Sequence, residues 1–282
     1  MDHSDAIRRA AAALSEADAL LVGAGAGMGV DSGLPDFRGD RGFWRAYPVC
    51  ERLGLNFASM ANPRWFVTDP AFAWGFYGHR LNLYRRTRPH AGFRLLLDWA
   101  ARKRHGLFVF TSNVDGQFQR AGVPPERVVE VHGSIHHLQC LRSCGVGIVP
   151  ADGFNVEVDE ETLRARPPLP TCSACLGVLR PNILMFGDAT WDDGRTIDQE
   201  QRLEAWLHEV PRGRLVVLEC GAGTAVPSVR HFCEGVAEAR QATLVRINPH
   251  EPEVPAGAIA IPLGALEALT LIDRAMRHDL AA

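Results

Sequence analysis

Three side chains that could hold a ligand or move a proton stand where polar loops follow apolar runs. Asn113 and Asp115 lie in Thr111-Ser112-Asn113-Val114-Asp115-Gly116, and His132 lies in Val131-His132-Gly133. Asn113 and Asp115 are one residue apart and can present two polar groups to one ligand; an Asx-turn is the plainer use of the same pair. The imidazole of His132, with a reference pKa of about 6.5, suits general-base work near neutral pH. Most histidines are structural or solvated, and His132 is singled out because it ends an apolar run and precedes a glycine. A fourth feature is Gly25–Gly39, reading GAGMGVDSGLPDFRG, which follows the apolar run Ala19–Val22. Glycines in Gly25-Ala26-Gly27 let the backbone approach a ligand and aim N–H groups at a pyrophosphate; a tight connection would need them equally. Pro35 interrupts any helix after little more than two turns. Asp36-Phe37-Arg38 then sets an acid, an aromatic ring and a cation beside the glycine loop, which is more chemistry than holding a dinucleotide requires.

A second constellation is made of thiols. Cys140 and Cys144 form C-x3-C, Cys172 and Cys175 form C-x2-C, and 27 residues separate the pairs. Four thiolates from two knuckles make a closed tetrahedral zinc site, and ion binding would supply folding energy to a polar segment that has little apolar surface to bury. Cys50, Cys220 and Cys233 stand alone and read as small apolar packing residues.

The elements that must position these groups alternate. Short apolar runs at Leu107–Phe110, Val128–Val131, Leu215–Leu218, Ala242–Ile247 and Ala258–Ile261 are of strand length. Helical spacing governs the stretch from Ile7 to Leu14, and Phe93–Lys103, Gln201–Val210, Val229–Ala239 and Leu266–Met276. Strands alternating with helices predict an α/β fold with a parallel sheet covered on both faces. The aromatic-rich stretch 43–86 has no clear strand and is expected to be a helical insertion. The Pro-, Gly- and acid-rich stretch 137–179 is expected to be an inserted zinc-binding module within one catalytic domain spanning 1–282. Both polar motifs then fall at the carboxyl ends of strands, where open α/β sheets bind ligands.

Composition sets outer limits. The chain has 282 residues, 46% hydrophobic and 22% charged, with a net charge of −3. That balance fits a soluble globular protein and gives no electrostatic reason to expect nucleic acid. No apolar stretch approaches the roughly 18 residues of a membrane span. The opening MDHSDAIRRAAAALSEAD lacks an uninterrupted apolar segment, so the expectation is a cytoplasmic protein with reduced cysteines.

Five motifs in this order resemble the sirtuins (Sir2 family), the NAD-dependent protein lysine deacylases. They are the Gly25–Gly39 stretch, Thr111–Gly116, Val131–Gly133 with the two cysteine pairs, Met185-Phe186-Gly187-Asp188 and Ile247-Asn248. The resemblance covers nearly the whole chain and implies a Rossmann-like doubly wound sheet, NAD and zinc, and acyl-lysine proteins or peptides as partners. In that reaction the acyl-lysine amide oxygen attacks C1′ of the nicotinamide ribose, nicotinamide leaves, and a histidine acts as base for a ribose hydroxyl. By resemblance His132 is that base, while Asn113, Asp115 and the neighbouring Ser112 face the ribose and the carboxamide. Gly25, Ala26, Gly27, Asp36, Phe37 and Arg38 would contact the phosphates and shield the reacting face. Gly223, Thr224 and Asn248 would meet the adenosine half, and Phe186 and Gly187 would flank the acyl-lysine.

The chain departs from the family pattern in several places. Ser112 replaces a usual Gln, Gly29 a usual Ser, Asp188 a usual Glu, the first cysteine pair is longer by one residue, and Gly223-Thr224-Ala225 lacks the family's Ser. Tyr77-Gly78-His79-Arg80 resembles the Tyr-x-x-Arg with which some sirtuins grip acidic acyl groups, which implies desuccinylase or demalonylase activity beside deacetylation. The plainer reading packs Tyr77 and leaves Arg80 solvated, and Gly75 and Gly78 lower the helical tendency by up to roughly 1 kcal/mol each. Two other functions fit the same site. One is ADP-ribosyl transfer or NAD hydrolysis; the other is an NAD-sensing module without turnover. A dehydrogenase is disfavoured because no continuous helix follows the glycines.

Overall fold

Leu20, Val22 and Ala24 face one side of a parallel sheet, and Ala19 and Leu21 face the other, so a run buried on both faces must be apolar throughout. The computed structural model describes residues 3–36 and 39–279. Its main sheet contains β1 (Ala19–Ala24), β2 (Leu107–Thr111) and β3 (Val128–Glu130), and three strands from the last third of the chain. Between these two groups fall the short strands β4 (Gly133–Cys140), β5 (Val149–Pro150), β6 (Val158–Asp159), β7 (Arg164–Ala165) and β8 (Leu179–Ile183). The main sheet is completed by β9 (Leu215–Cys220), β10 (Thr243–Ile247) and β11 (Ile259–Ile261).

The spatial order is β11-β10-β9-β1-β2-β3, with every pairing parallel. Strand order reverses beside β1, so a crevice opens between the carboxyl ends of β1 and β9. Helices Ser4–Glu16, Ala91–Ala100 and Ala265–Asp279 pack on one face. Gly194–Glu209 and Ser228–Arg240 cover the other, through residues such as Trp206 and Val229. This is the doubly wound arrangement that the alternating pattern predicts, and the strands follow the apolar runs to within about two residues.

A separate apolar cluster joins residues 39–86 to the small sheet β5-β4-β8 and the hairpin β6-β7. Residues 39–86 form five helices, the last being Pro70–Arg86. The Asp69 side chain accepts the Phe72 N–H at 3.2 Å and Pro70 opens the first turn, so this helix has a defined start. Its two glycines have a packing role. A Cβ at Gly75 would lie 1.9 Å from the Leu163 carbonyl oxygen, and one at Gly78 would lie 2.5 Å from a Val156 methyl. The helix therefore rests directly on the backbone of β7 and the side chains before β6. Trp74 adds a tie, donating its indole N–H to the Leu179 carbonyl at 2.8 Å. Among the described residues no helix is long and apolar enough to cross a membrane.

Candidate active site

The crevice beside β1 holds a cavity of about 720 Å³. Gly25, Ala26, Gly27, Asp36, Ser112, Asn113, Asp115, His132, Gly223 and Thr224 line it, and so do Tyr77, Arg80, Phe186 and Gly187. Phe37 and Arg38 lie outside the described residues.

The glycines at its floor serve each other as well as any ligand. The Gly27 N–H donates to the Gly221 carbonyl at 3.0 Å, and Gly221 has φ +64°. A Cβ on Gly25 or Gly27 would come 2.7 Å from the backbone of Gly221-Ala222, and one on Gly221 would come 2.4 Å from that of Gly27-Met28. The loops after β1 and β9 are therefore packed backbone to backbone, and no side chain fits between them. After Gly25 the chain makes a short 3₁₀ helix, Ala26–Ser32, and stops at Gly33 with φ +86°. This agrees with the interruption that Pro35 predicts.

The loop after β2 is fixed to the same floor. The Asn113 carboxamide donates to the Gly25 carbonyl at 2.9 Å, and its backbone N–H is held by Thr111 Oγ1 at 3.0 Å. Asp115 Oδ1 accepts the Gln117 N–H at 2.9 Å, yet burial dominates and pushes its carboxyl up to about 6. His132 lies two residues beyond the end of β3. Burial lowers its pKa below the ordinary histidine value, and a hydrogen bond with the Ser112 backbone opposes this in part. Its imidazole is thus neutral at physiological pH, the form that can accept a proton.

Opposite, the turn Met185-Phe186-Gly187-Asp188 is anchored from below. Asp188 makes a two-point ion pair with Arg180, at 2.6 and 3.0 Å, and both side chains are fully buried. The same carboxylate accepts the Thr190 N–H at 3.1 Å. Above it, the Phe186 N–H donates to Ala61 O at 2.9 Å and its carbonyl accepts from Asn62 at 3.0 Å. The shorter Asp at this position thus spans the space to its arginine without help.

At the other end of the cavity Thr224 Oγ1 lies 2.5 Å from Glu251 Oε1. Asn248 is not part of the cavity lining. Its amide donates to Ala222 O at 2.9 Å, and its oxygen accepts the His250 and Glu251 N–H groups at 3.0 and 3.1 Å. It works as a brace between the loops that carry Thr224 and Glu251.

Tyr77 and Arg80 are 1% and 6% exposed, which rules out a solvated Arg80. Arg80 donates from Nε and one terminal nitrogen to the Tyr84 hydroxyl, at 3.0 and 2.9 Å. Its guanidinium carbon lies 5.3–5.9 Å from the ring centres of Phe57, Phe76, Tyr77 and Tyr84. The Tyr77 hydroxyl is buried without a hydrogen-bond partner among the described residues. Sequence reading missed Tyr84 and Glu251. Tyr84 stands four residues after Arg80 on one helix face and was legible from that spacing; Glu251 comes near Thr224 only through the β9–β10 fold.

The sulfurs of Cys140, Cys144, Cys172 and Cys175 all lie within 4.8 Å of one another, with two pairs at 3.5 Å. A tetrahedron with arms of about 2.3 Å has edges of roughly 3.8 Å, so the set fits zinc, and the extra residue in the first pair is accommodated. Cys50, Cys220 and Cys233 are buried and separate from this group.

The Sir2 family model matches residues 25–205, well over half of the chain. The chain belongs to the Sir2 family. It is 32% identical over 251 residues to NAD-dependent protein deacylase 2 of Pseudomonas aeruginosa, covering 88% of each chain. Mitochondrial NAD-dependent protein deacylase sirtuin-5 of Danio rerio is 32% identical over 205 residues, covering 67% of this chain and 63% of that one. A solved Sir2 homologue–NAD complex superposes with TM-score 0.70 at 25% identity, covering 96% of this chain and 94% of that one. The Sir2 motifs therefore sit on a Sir2 fold over essentially the full length. NAD and a structural metal ion belong to this family's site and match the residues found here.

Proposed function

We propose that this sirtuin is an NAD-dependent protein lysine deacylase that moves the acyl group of a lysine onto ADP-ribose with release of nicotinamide. The observation that carries the reading is the meeting of His132, Asn113 and Asp115 in one cavity at the switch point of the sheet, beside the Phe186–Gly187 turn. NAD, when bound, supplies the ribose carbon to be attacked and nicotinamide as leaving group. Asn113 and Asp115 orient the ribose and carboxamide, and the walls exclude competing water. His132, held neutral by burial, takes the proton of a ribose hydroxyl. Phe186 and Gly187 flank the acyl-lysine, and Gly25, Ala26, Gly27, Asp36 and Ser112 hold the phosphate and ribose portion. Gly223 and Thr224 face the adenosine half, with Asn248 bracing them. Phe37 and Arg38 take the shielding and phosphate roles that the family motif gives them.

Acidic acyl groups are the favoured substrates in this reading. Tyr77 and Arg80 line the cavity, and a tyrosine beside a guanidinium held in place by Tyr84 is a combination that matches a carboxylate. The four cysteines hold zinc, which stabilises residues 137–179 and takes no part in the chemistry. Thiolates kept for a metal suit the cytoplasm. Mass spectrometry of acetyl-, succinyl- and malonyl-lysine peptides incubated with the protein and NAD tests the reading. Acyl loss matched by acyl-ADP-ribose is expected; nicotinamide release without peptide would point instead to hydrolysis, and NAD binding without release to a sensor.

A further inference from the structure

Asp115 and Tyr84 are walls of two cavities. Behind them, away from the glycine loops, lies a second one of about 510 Å³, within the range of small-molecule sites. Most of its walls come from elements that the acyl transfer does not use. On helix Gly194–Glu209, Arg195, Gln199 and Arg202 are spaced four and three residues apart, share one face, and all line it. Arg120 faces them from helix Gln117–Ala121, and His137 comes from β4.

The polar groups here are incompletely satisfied. Arg195 pairs through one terminal nitrogen with the buried Glu130 carboxylate, but its Nη1 is buried and has no partner among the described residues. His137 Nδ1 is in the same condition. Burial and the Arg195 charge push His137 down to about 4, so it adds no positive charge. Arg120 and Arg202 are exposed and make no ion pair among the described residues. Arg195 is paired with Glu130, so two guanidiniums, Arg120 and Arg202, stay without an ion partner, and beside them the lining offers Glu126, exposed, and Asp115, whose carboxyl is raised to about 6. The exposed guanidiniums of Arg120 and Arg202 are the ones an oxyanion in the cavity can reach, while Arg195 Nη1 is sealed from solvent. A single inorganic ion would leave most of the volume empty, whereas the Tyr84 ring and Pro125 offer an apolar wall for an organic body.

We propose that this cavity is a second ligand site, distinct from the acyl-transfer site, for a small organic anion carrying two or more acidic groups. Arg202 grips one group from the helix, beside the Arg195–Glu130 pair, and Arg120 meets another.

Calorimetric titration of the full chain with citrate and with pyrophosphate, at constant ionic strength, tests this. Saturating ADP-ribose keeps the probes out of the larger cavity. One saturable site with Kd below about 1 mM is expected for at least one probe, and the probe that binds separates a carboxylate from a phosphoryl ligand. The double variant Arg120→Gln/Arg202→Gln, in exposed positions that leave the fold intact, should weaken that probe about tenfold or more and leave ADP-ribose affinity unchanged. No saturable heat with either probe, or equal affinity in the parent and the double variant, would overturn the proposal. A failure of ADP-ribose itself to bind would count against the deacylase reading and leave the comparison between parent and variant readable.

Discussion

Both Nε and a terminal nitrogen of Arg80 donate to one atom, the hydroxyl oxygen of Tyr84. This fixes the plane of a guanidinium that is 6% exposed and faces the cavity. Burial works against its charge, and the tyrosines around it outweigh that, so Arg80 stays protonated at any working pH. If the cavity takes the acyl group as proposed, a fixed, desolvated cation there discriminates by charge.

From this follows the first prediction. Arg80→Met keeps the length and apolar contacts of the side chain but loses the charge, so activity on succinyl- and malonyl-lysine should fall about 10- to 100-fold, the worth of a charge-assisted hydrogen bond. Activity on acetyl-lysine should hold or rise. Tyr84→Phe should show a weaker form of the same shift, through loss of Arg80 orientation. Comparing kcat/KM on the three peptides checks it; equal losses on all three would make Arg80 a structural residue.

His132→Ala should retain NAD binding and lose about 10²–10⁴-fold in deacylation. The pH profile follows from two groups. His132 must be neutral to accept a proton, and its pKa is lowered, so its limb falls below the usual histidine range. Asp115 ionises above about 6. Turnover should therefore be flat through neutrality and decline as pH drops through about 6 and below. A decline that begins above pH 7 would contradict this environment for His132.

Metal removal should reach the acyl pocket as well as the cysteines. Helix Pro70–Arg86, which carries Tyr77 and Arg80, rests on Leu163, Val156 and Leu179 of the zinc-bearing part. Elemental analysis should find about one zinc per chain, and chelation or Cys172→Ala should unfold residues 137–179 and abolish turnover. Circular dichroism and activity followed together check the coupling. Loss of metal with full activity would break it.

Two glycine substitutions should move stability in opposite directions. Gly235, exposed on helix Ser228–Arg240, has no heavy atom within 4 Å of an added Cβ, so Gly235→Ala should gain up to about 1 kcal/mol from helix propensity. Gly75→Ala meets the Leu163 carbonyl at 1.9 Å and should lower Tm despite the same propensity gain. Thermal melts of the two variants decide it.

The main sheet was legible because parallel strands buried on both faces leave apolar runs, as in Ala19–Val22 and Leu215–Leu218. His132, Asn113 and Asp115 were legible for a related reason, since strand ends mark where the cavity must lie. The small sheet was not. β4 reads GSIHHLQC and β8 reads LRPNI, with Gln139, Arg180 and Asn182 buried and hydrogen-bonded, so their polar residues hide the strand pattern. The burial of Arg80 among Phe57, Phe76, Tyr77 and Tyr84, and the seating of Gly75 against Leu163, are tertiary facts that local spacing does not show. The wall formed by Arg195, Gln199 and Arg202 went unnoticed, because three polar residues on a helix face look like any solvated surface.

The Gly27–Gly221 contact has a consequence for when the site comes into being. It joins the first loop of the sheet to one from the last third of the chain, and β1 pairs with β9 along its whole length. A nascent chain that has emerged only as far as the end of helix Gly194–Glu209 contains His132, Asn113, Asp115 and all four cysteines, but β1 still lacks a neighbour on one edge. The stretch matched by the Sir2 family model, residues 25–205, ends at about the same point. The part of the chain that best declares its ancestry thus lacks the strand and loop that complete its cavity, which come from a carboxyl-terminal stretch that carries few of the signature residues.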